Sequence, residues 1–235
     1  MHKIAMAPEI LARIPGFREG LHMFDNIDAG KTAHVVVDLQ NGFMEPGATV
    51  ELPVARDIVP NVNTICKAVR AARGINVFVR YLVDDETQVK WSSWFNDFAS
   101  PGRRKAMIET FSKTAHGFAL WPGLDVQAED LIVDKTRFGA FVPGSSNLHE
   151  VLQTRGIDTL IITGTATNVC CESTARDAMQ MNYKVIFVAD GNAALTDAEH
   201  NATLNNMVTL FADVMTTEQV VGVLDKSGAM RHAAE

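Results

Sequence analysis

Leu160–Ala178, LIITGTATNVCCESTARDA, joins two patterns in one short stretch. From Asp158 to Thr163 the chain is a β-branched apolar run of strand length, and from Asn168 onward its spacing predicts a helix. The turn between them holds Gly164, Thr165, Ala166 and Thr167, small residues that let backbone N–H groups approach a ligand. Cys170 then falls in the first helical turn. Unpaired N–H groups and the positive end of the helix dipole favour the thiolate there, the form that attacks carbonyls. A free cysteine seen alone is more commonly a small buried hydrophobe, so the rest of the chain has to decide.

Outward from this stretch the same alternation repeats. Ala33–Leu39, Ile75–Leu82, Leu131–Lys135, Asp158–Thr163, Lys184–Asp190 and Val214–Thr216 read as strands. Between them, helices are expected over Asp57–Arg73, stopped by Gly74, over Ser145–Arg155, over the cysteine segment, over Asp197–Phe211 with Thr196 as N-cap, and over Glu218–Leu224. This rhythm predicts an α/β three-layer sandwich with a six-stranded, mainly parallel sheet flanked by helices. Residues 1–31 read as an arm that packs on the body or on a neighbouring subunit. Residues 32–224 read as a single domain with an aromatic-rich insertion at 84–121 that holds all three tryptophans, and 225–235 as a frayed tail.

With 235 residues the chain can bury one substantial core. A net charge of −7 argues against a nucleic-acid partner. Arg103, Arg104 and Lys105 form the one basic cluster, read as a solvated face or as a contact for an anionic substrate group. No window reaches membrane-spanning length, and charged residues stand where a signal peptide needs an apolar core, so no membrane contact and a cytoplasmic location are expected. The three cysteines give an odd count, with Cys66 on the apolar face of its helix. The seven histidines lack ligand spacing, so no metal and no cofactor are expected. Gly30-Lys31-Thr32 fails as a phosphate loop because it precedes a strand.

Asp38, Lys135 and Cys170 each follow a different strand at its carboxyl end, where open parallel sheets bind ligands. Each has a bland alternative: a turn cap, a snorkelling side chain, a core thiol. Together an acid, a cation and a thiol make a workable catalytic triad, in which the carboxylate takes the thiol proton and later gives it to a leaving amine while the ammonium positions both.

VVDLQNGF at Val36–Phe43, DKTRFGAF at Asp134–Phe141 and TGTATNVCCESTARDA at Thr163–Ala178 resemble the three signature segments of the isochorismatase-like cysteine hydrolases, in the right order. Within that group the cysteine segment is most similar to the ureidoacrylate, N-carbamoylsarcosine, biuret and triuret hydrolases. The resemblance implies Cys170 as nucleophile, Asp38 as general acid/base and Lys135 as its partner. It also implies a cis peptide at Thr165–Ala166, an oxyanion hole from the N–H groups of Ala166 and Cys170, and a homodimer or homotetramer. Cys171 is taken as packing. The metal-ligand run of nicotinamidases is replaced here by Tyr81-Leu82-Val83-Asp84-Asp85, and the presence of Cys170 argues against true isochorismatase chemistry. The expected activity is a cysteine-dependent amidohydrolase releasing ammonia from a small ureido or carbamoyl compound, with Phe43, Tyr81, Trp91 and Phe138 as pocket walls. The alternatives are an amidase acting on a simple carboxamide such as maleamate, and a non-catalytic ligand-binding domain of the same fold.

Overall fold

A computed structural model of the chain describes residues 1–232. Six strands, β1 (Thr32–Val37), β2 (Ile75–Tyr81), β3 (Leu131–Lys135), β4 (Thr159–Thr165), β5 (Lys184–Ala193) and β6 (Asp213–Met215), form one sheet in the order β3-β2-β1-β4-β5-β6. Every neighbouring pair is parallel. All six residues of β1 are buried, as a central strand covered on both faces requires.

Alternate strand residues feed opposite layers. On one face Val35, Val37, Leu160 and Ile162 pack with Leu148 and Leu152 of α4 (Leu148–Gln153), Ala175 and Ala178 of α5 (Glu172–Gln180) and Leu204 of α6 (Asp197–Asn206). On the other, α1 (Val59–Ala71) turns its Val62, Ile65, Cys66 and Val69 stripe inward. There Ile65 and Val69 meet Ile161 and Ile186 of the sheet and Val220 and Leu224 of α7 (Thr217–His232). The insertion contributes α2 (Asp85–Lys90), a π-helical turn at Ser93–Phe98 and α3 (Pro101–Phe111), which close over the carboxyl edge of the sheet through Phe95, Met107 and Phe111.

Three local readings differ from the sequence expectation. The helix expected from Ser145 begins at Leu148, because the Ser145 and Ser146 hydroxyls donate instead to the carbonyls of Gly139 and Ala140 in the preceding loop. Asp197–Phe211 splits into α6 and a π-helical turn at Met207–Phe211. The chain also stays helical past Leu224, since Ser227 is buried and its hydroxyl accepts from Ala29 N–H at 2.9 Å, which fastens α7 to the start of β1. The last three residues of the tail lie outside the described residues. The arm lies against this same body: Ala5 and Ala7 donate to the side chains of Asn201 and Asn205 on α6, at 2.7 and 2.9 Å, and Ile14 is buried. No helix among the described residues is long and apolar enough to cross a membrane.

Candidate active site

The sheet order reverses direction at β1 and β4, and the crevice beyond their carboxyl ends is where an open parallel sheet exposes backbone to a ligand. Asp38 directly follows β1. Its φ of +54° is a left-handed conformation that an Asp tolerates better than most residues, and its side chain is fully buried. Gln40 fixes that turn: its side-chain nitrogen donates to the carbonyls of Tyr81 and Phe118, and its side-chain oxygen accepts from Tyr81 N–H at 2.7 Å.

Lys135 ends β3, in register with Tyr81 at the end of β2. It must reach past β2 to meet Asp38, a span of two strand spacings, roughly 10 Å, that the two side chains bridge together. Lys135 Nζ lies 2.7 Å from Asp38 Oδ2, with both side chains fully buried, and 5.0 Å from the centre of the Tyr81 ring. Nζ also donates to the Arg137 carbonyl.

Cys170 follows β4, whose irregular carboxyl end has room only for glycine at position 164. Gly164 has φ +127°, and a Cβ there would stand 2.0 Å from the carbonyl oxygen of Val37. The peptide Thr165–Ala166 is cis. The Ala166 carbonyl accepts from Val169 and Cys171 N–H, and Thr167–Cys171 forms a π-helical turn before α5 begins at Glu172. Asp38 and Lys135 are the charged groups that act most strongly on the Cys170 thiol. Cys171 is fully buried and, unlike Cys170, does not line the cavity described below.

The electrostatics differ from the sequence expectation of a depressed thiol pKa. Burial pushes Cys170 upward, and the attraction of Lys135 does not offset it, so the resting group is a thiol. Burial also raises Asp38 above the ordinary carboxylate range despite Lys135 beside it. For Lys135 burial opposes the charge, but attraction to Asp38 and then Cys170 prevails and its pKa is raised. The cluster is thus a permanent cation, a carboxylate ready to take a proton, and a thiol ready to give one.

A cavity of about 360 Å³ opens onto Cys170, with Ala166 beside it. Phe43, Tyr81 and Phe138 line it, and Trp91 does not. Trp91 lies behind the wall, its ring 5.6 Å from Trp94 and 4.8 Å from Phe138, and Trp94 takes the place assigned to it. The sequence reading also missed Met107, Leu195 and Glu199 on the lining, and the Gln40 clamp. A long polar side chain set immediately behind Asp38 was the available signal for Gln40. Nothing in the sequence marked Leu195 or Glu199.

Comparison with known proteins places this arrangement in a family. The uncharacterized isochorismatase family protein YwoC of Bacillus subtilis is 32% identical over 194 residues, covering 83% of this chain and 94% of that one. Ureidoacrylate amidohydrolase RutB of Pseudomonas savastanoi pv. phaseolicola is 32% identical over 220 residues, covering 82% and 86%. The crystal structure of a cysteine hydrolase from Pseudomonas syringae pv. phaseolicola superposes with a TM-score of 0.77 at 27% identity, covering 90% of this chain and all of that one. The isochorismatase domain profile matches residues 32–219, and the chain belongs to the isochorismatase family.

Proposed function

We propose that the protein is an amidohydrolase that cleaves the C–N bond of a small ureido or carbamoyl compound through a covalent Cys170 intermediate. The observation that carries this reading is a fully buried Asp38–Lys135 pair acting on a thiol that lines a cavity. Its similarity to ureidoacrylate amidohydrolases supports the choice of substrate class.

In the proposed reaction Asp38 accepts the Cys170 proton as sulfur attacks the carbonyl carbon, so thiolate forms only when a substrate is present to receive it. The carbonyl π electrons move to oxygen, and the N–H groups of Ala166 and Cys170 hold the oxyanion. As the tetrahedral species collapses, the C–N bond breaks and Asp38 returns the proton to the departing nitrogen, releasing ammonia. Water, deprotonated by the same carboxylate, then attacks the carbonyl of the S-carbamoyl cysteine, the C–S bond breaks, and Asp38 returns the proton to sulfur, which regenerates the thiol. Lys135 keeps its charge throughout and holds Asp38 in place.

The test is ammonia release from ureidoacrylate-like compounds, N-carbamoyl amino acids, biuret, triuret and simple amides by wild type and Cys170→Ala. Turnover of a ureido compound by wild type alone supports the reading. Preference for a simple carboxamide such as maleamate replaces the substrate class, and equal inertness of two folded proteins replaces catalysis with ligand binding.

A further inference from the structure

We infer that Arg103 is a specificity-determining residue that anchors a carboxylate of the substrate, which directs the site toward ureido carboxylic acids and away from uncharged ureas such as biuret and triuret. The inference rests on the amidohydrolase reading of the same cavity.

Arg103 lines the cavity that opens onto Cys170. It lies in the first turn of α3, where the Ser100 side chain caps the Arg103 N–H and the positive end of the helix dipole adds to the guanidinium charge. No carboxylate among the described residues forms an ion pair with it. Its guanidinium makes only a long contact, Nη1 to the Thr49 carbonyl at 3.5 Å. The neighbouring Arg104, by contrast, donates to Asn96 at 2.9 Å and lies outside this cavity. An arginine left with its planar donor face open at a cavity rim matches the bidentate geometry of a carboxylate.

A second observation is independent of the first. Tyr81 lines the same cavity at 1% exposure, and its hydroxyl has no hydrogen-bond partner in the chain. A buried hydroxyl without a partner is costly, and a ligand oxygen in the cavity would supply one. Burial keeps it protonated and therefore able to donate. Trp94, on the same wall, likewise has a buried Nε1–H without a partner. The cavity thus offers several unused donors.

Two carboxylates share the lining and do not cancel this arrangement. Glu51 is already held by Arg56 at 2.8 Å and by Gly47 N–H at 2.7 Å. Glu199 accepts from the Thr196 hydroxyl at 2.8 Å on the α6 wall, whereas Arg103 rests against Thr49 on another. Its free oxygen suits the N–H groups of a ureido unit, which the uncharged ureas and the ureido acids share. The discriminating group is therefore Arg103.

The experiment uses 3-ureidopropionate and its uncharged amide, 3-ureidopropanamide, as a matched pair. Calorimetric affinities are measured on Cys170→Ala alone and combined with Arg103→Ala or Arg103→Lys. The expected result is tighter binding of the acid, an acid-to-amide affinity ratio that falls about 10–100-fold with Arg103→Ala, and partial retention with Arg103→Lys. Equal binding of acid and amide, an equal loss of both in Arg103→Ala, or no detectable binding of the acid at millimolar concentration overturns the inference. Arg103 is exposed, and a melting curve for each variant establishes that folding is retained. Binding is read without turnover, so failure of the ammonia-release panel sinks the amidohydrolase reading separately.

Discussion

Strand β1 and the residue that follows it anchor two buried polar clusters four residues apart, and both include a cysteine. At His34 the ring nitrogens meet Thr163 Oγ1 at 2.8 Å and Asn76 Oδ1 at 3.3 Å, with Cys66 Sγ 3.5 Å away. At Asp38 the carboxylate meets Lys135 and feels Cys170. Both thiols are buried and both are held protonated by that burial, Cys66 with a pKa pushed up to about 12. What separates them is access and unfinished bonding. Cys170 faces a cavity in which Tyr81 and Trp94 keep unused donors, whereas Cys66 and His34 are closed off inside the core. A cysteine beside a titratable group is therefore not in itself a site. A site also needs polar groups whose bonding is incomplete and a space for the reactant.

The widest separation between the clusters should come from deleting each thiol. Cys170→Ala should lower turnover by at least ~10³-fold, while Cys66→Ala should keep the rate within a few-fold and cost about 1 kcal/mol of stability from the small void it leaves. Mass spectrometry after brief alkylation of the native protein should find the adduct on Cys170. Label on Cys66 instead would erase the distinction drawn here.

The next effect is on folding. Lys135→Met leaves the Asp38 carboxylate buried without its cation, and a loss of about 3–5 kcal/mol is expected in denaturant melts. Adding Asp38→Asn should recover much of that stability and none of the activity. If the single variant is as stable as wild type, the pair is not holding a charge.

The His34 cluster should instead appear in the pH dependence of stability. Burial lowers the His34 pKa from 6.5 to about 3. The unfolded chain therefore takes up this proton below pH 6.5, while the native state refuses it until about pH 3. The contribution of His34 is complete above pH 6.5 and is lost as pH falls through that window, by about 1.4 kcal/mol per pH unit. His200, lowered to about 4 by burial, acts in the same direction. Equilibrium unfolding at several pH values should show a shallower slope in His34→Gln, and an unchanged slope would mean that this histidine already titrates in the native protein.

The smallest effect concerns catalysis. If Asp38 must be ionised to accept the thiol proton, its raised pKa places the acid limb of kcat/KM above the ordinary carboxylate range. A limb at or below that range would remove Asp38 from the role of base.

Much of this was legible in the chain because strands buried on both faces need continuous β-branched runs, and the residues that follow such runs emerge at one sheet edge. That logic brings Asp38, Lys135 and Cys170 to one edge from the sequence alone. It could not supply strand order, so it could not show that β2 lies between Lys135 and Asp38, or that Tyr81 would be pinned under the lysine. The insertion was harder still. A π-helical turn at Ser93–Phe98 breaks the 3.6-residue period just after Trp91, so periodicity did not show that Trp94, rather than Trp91, would reach the cavity. The protonation of the thiol is hidden for a different reason: a helix N-terminus is visible in sequence, whereas the depth of burial that opposes it is not.

The close approach at Gly164 bears on how the substrate range of such an enzyme could be changed. With the Val37 carbonyl 2.0 Å from where a side chain would begin, the strand end leading to the nucleophile has no room for variation. The rim, by contrast, is built from side chains on separate elements, among them Thr49, Trp94, Arg103, Leu195 and Glu199. A mutant library aimed at new substrates should therefore randomise those rim codons and hold 164–171 constant, so that its diversity falls where the backbone can absorb it.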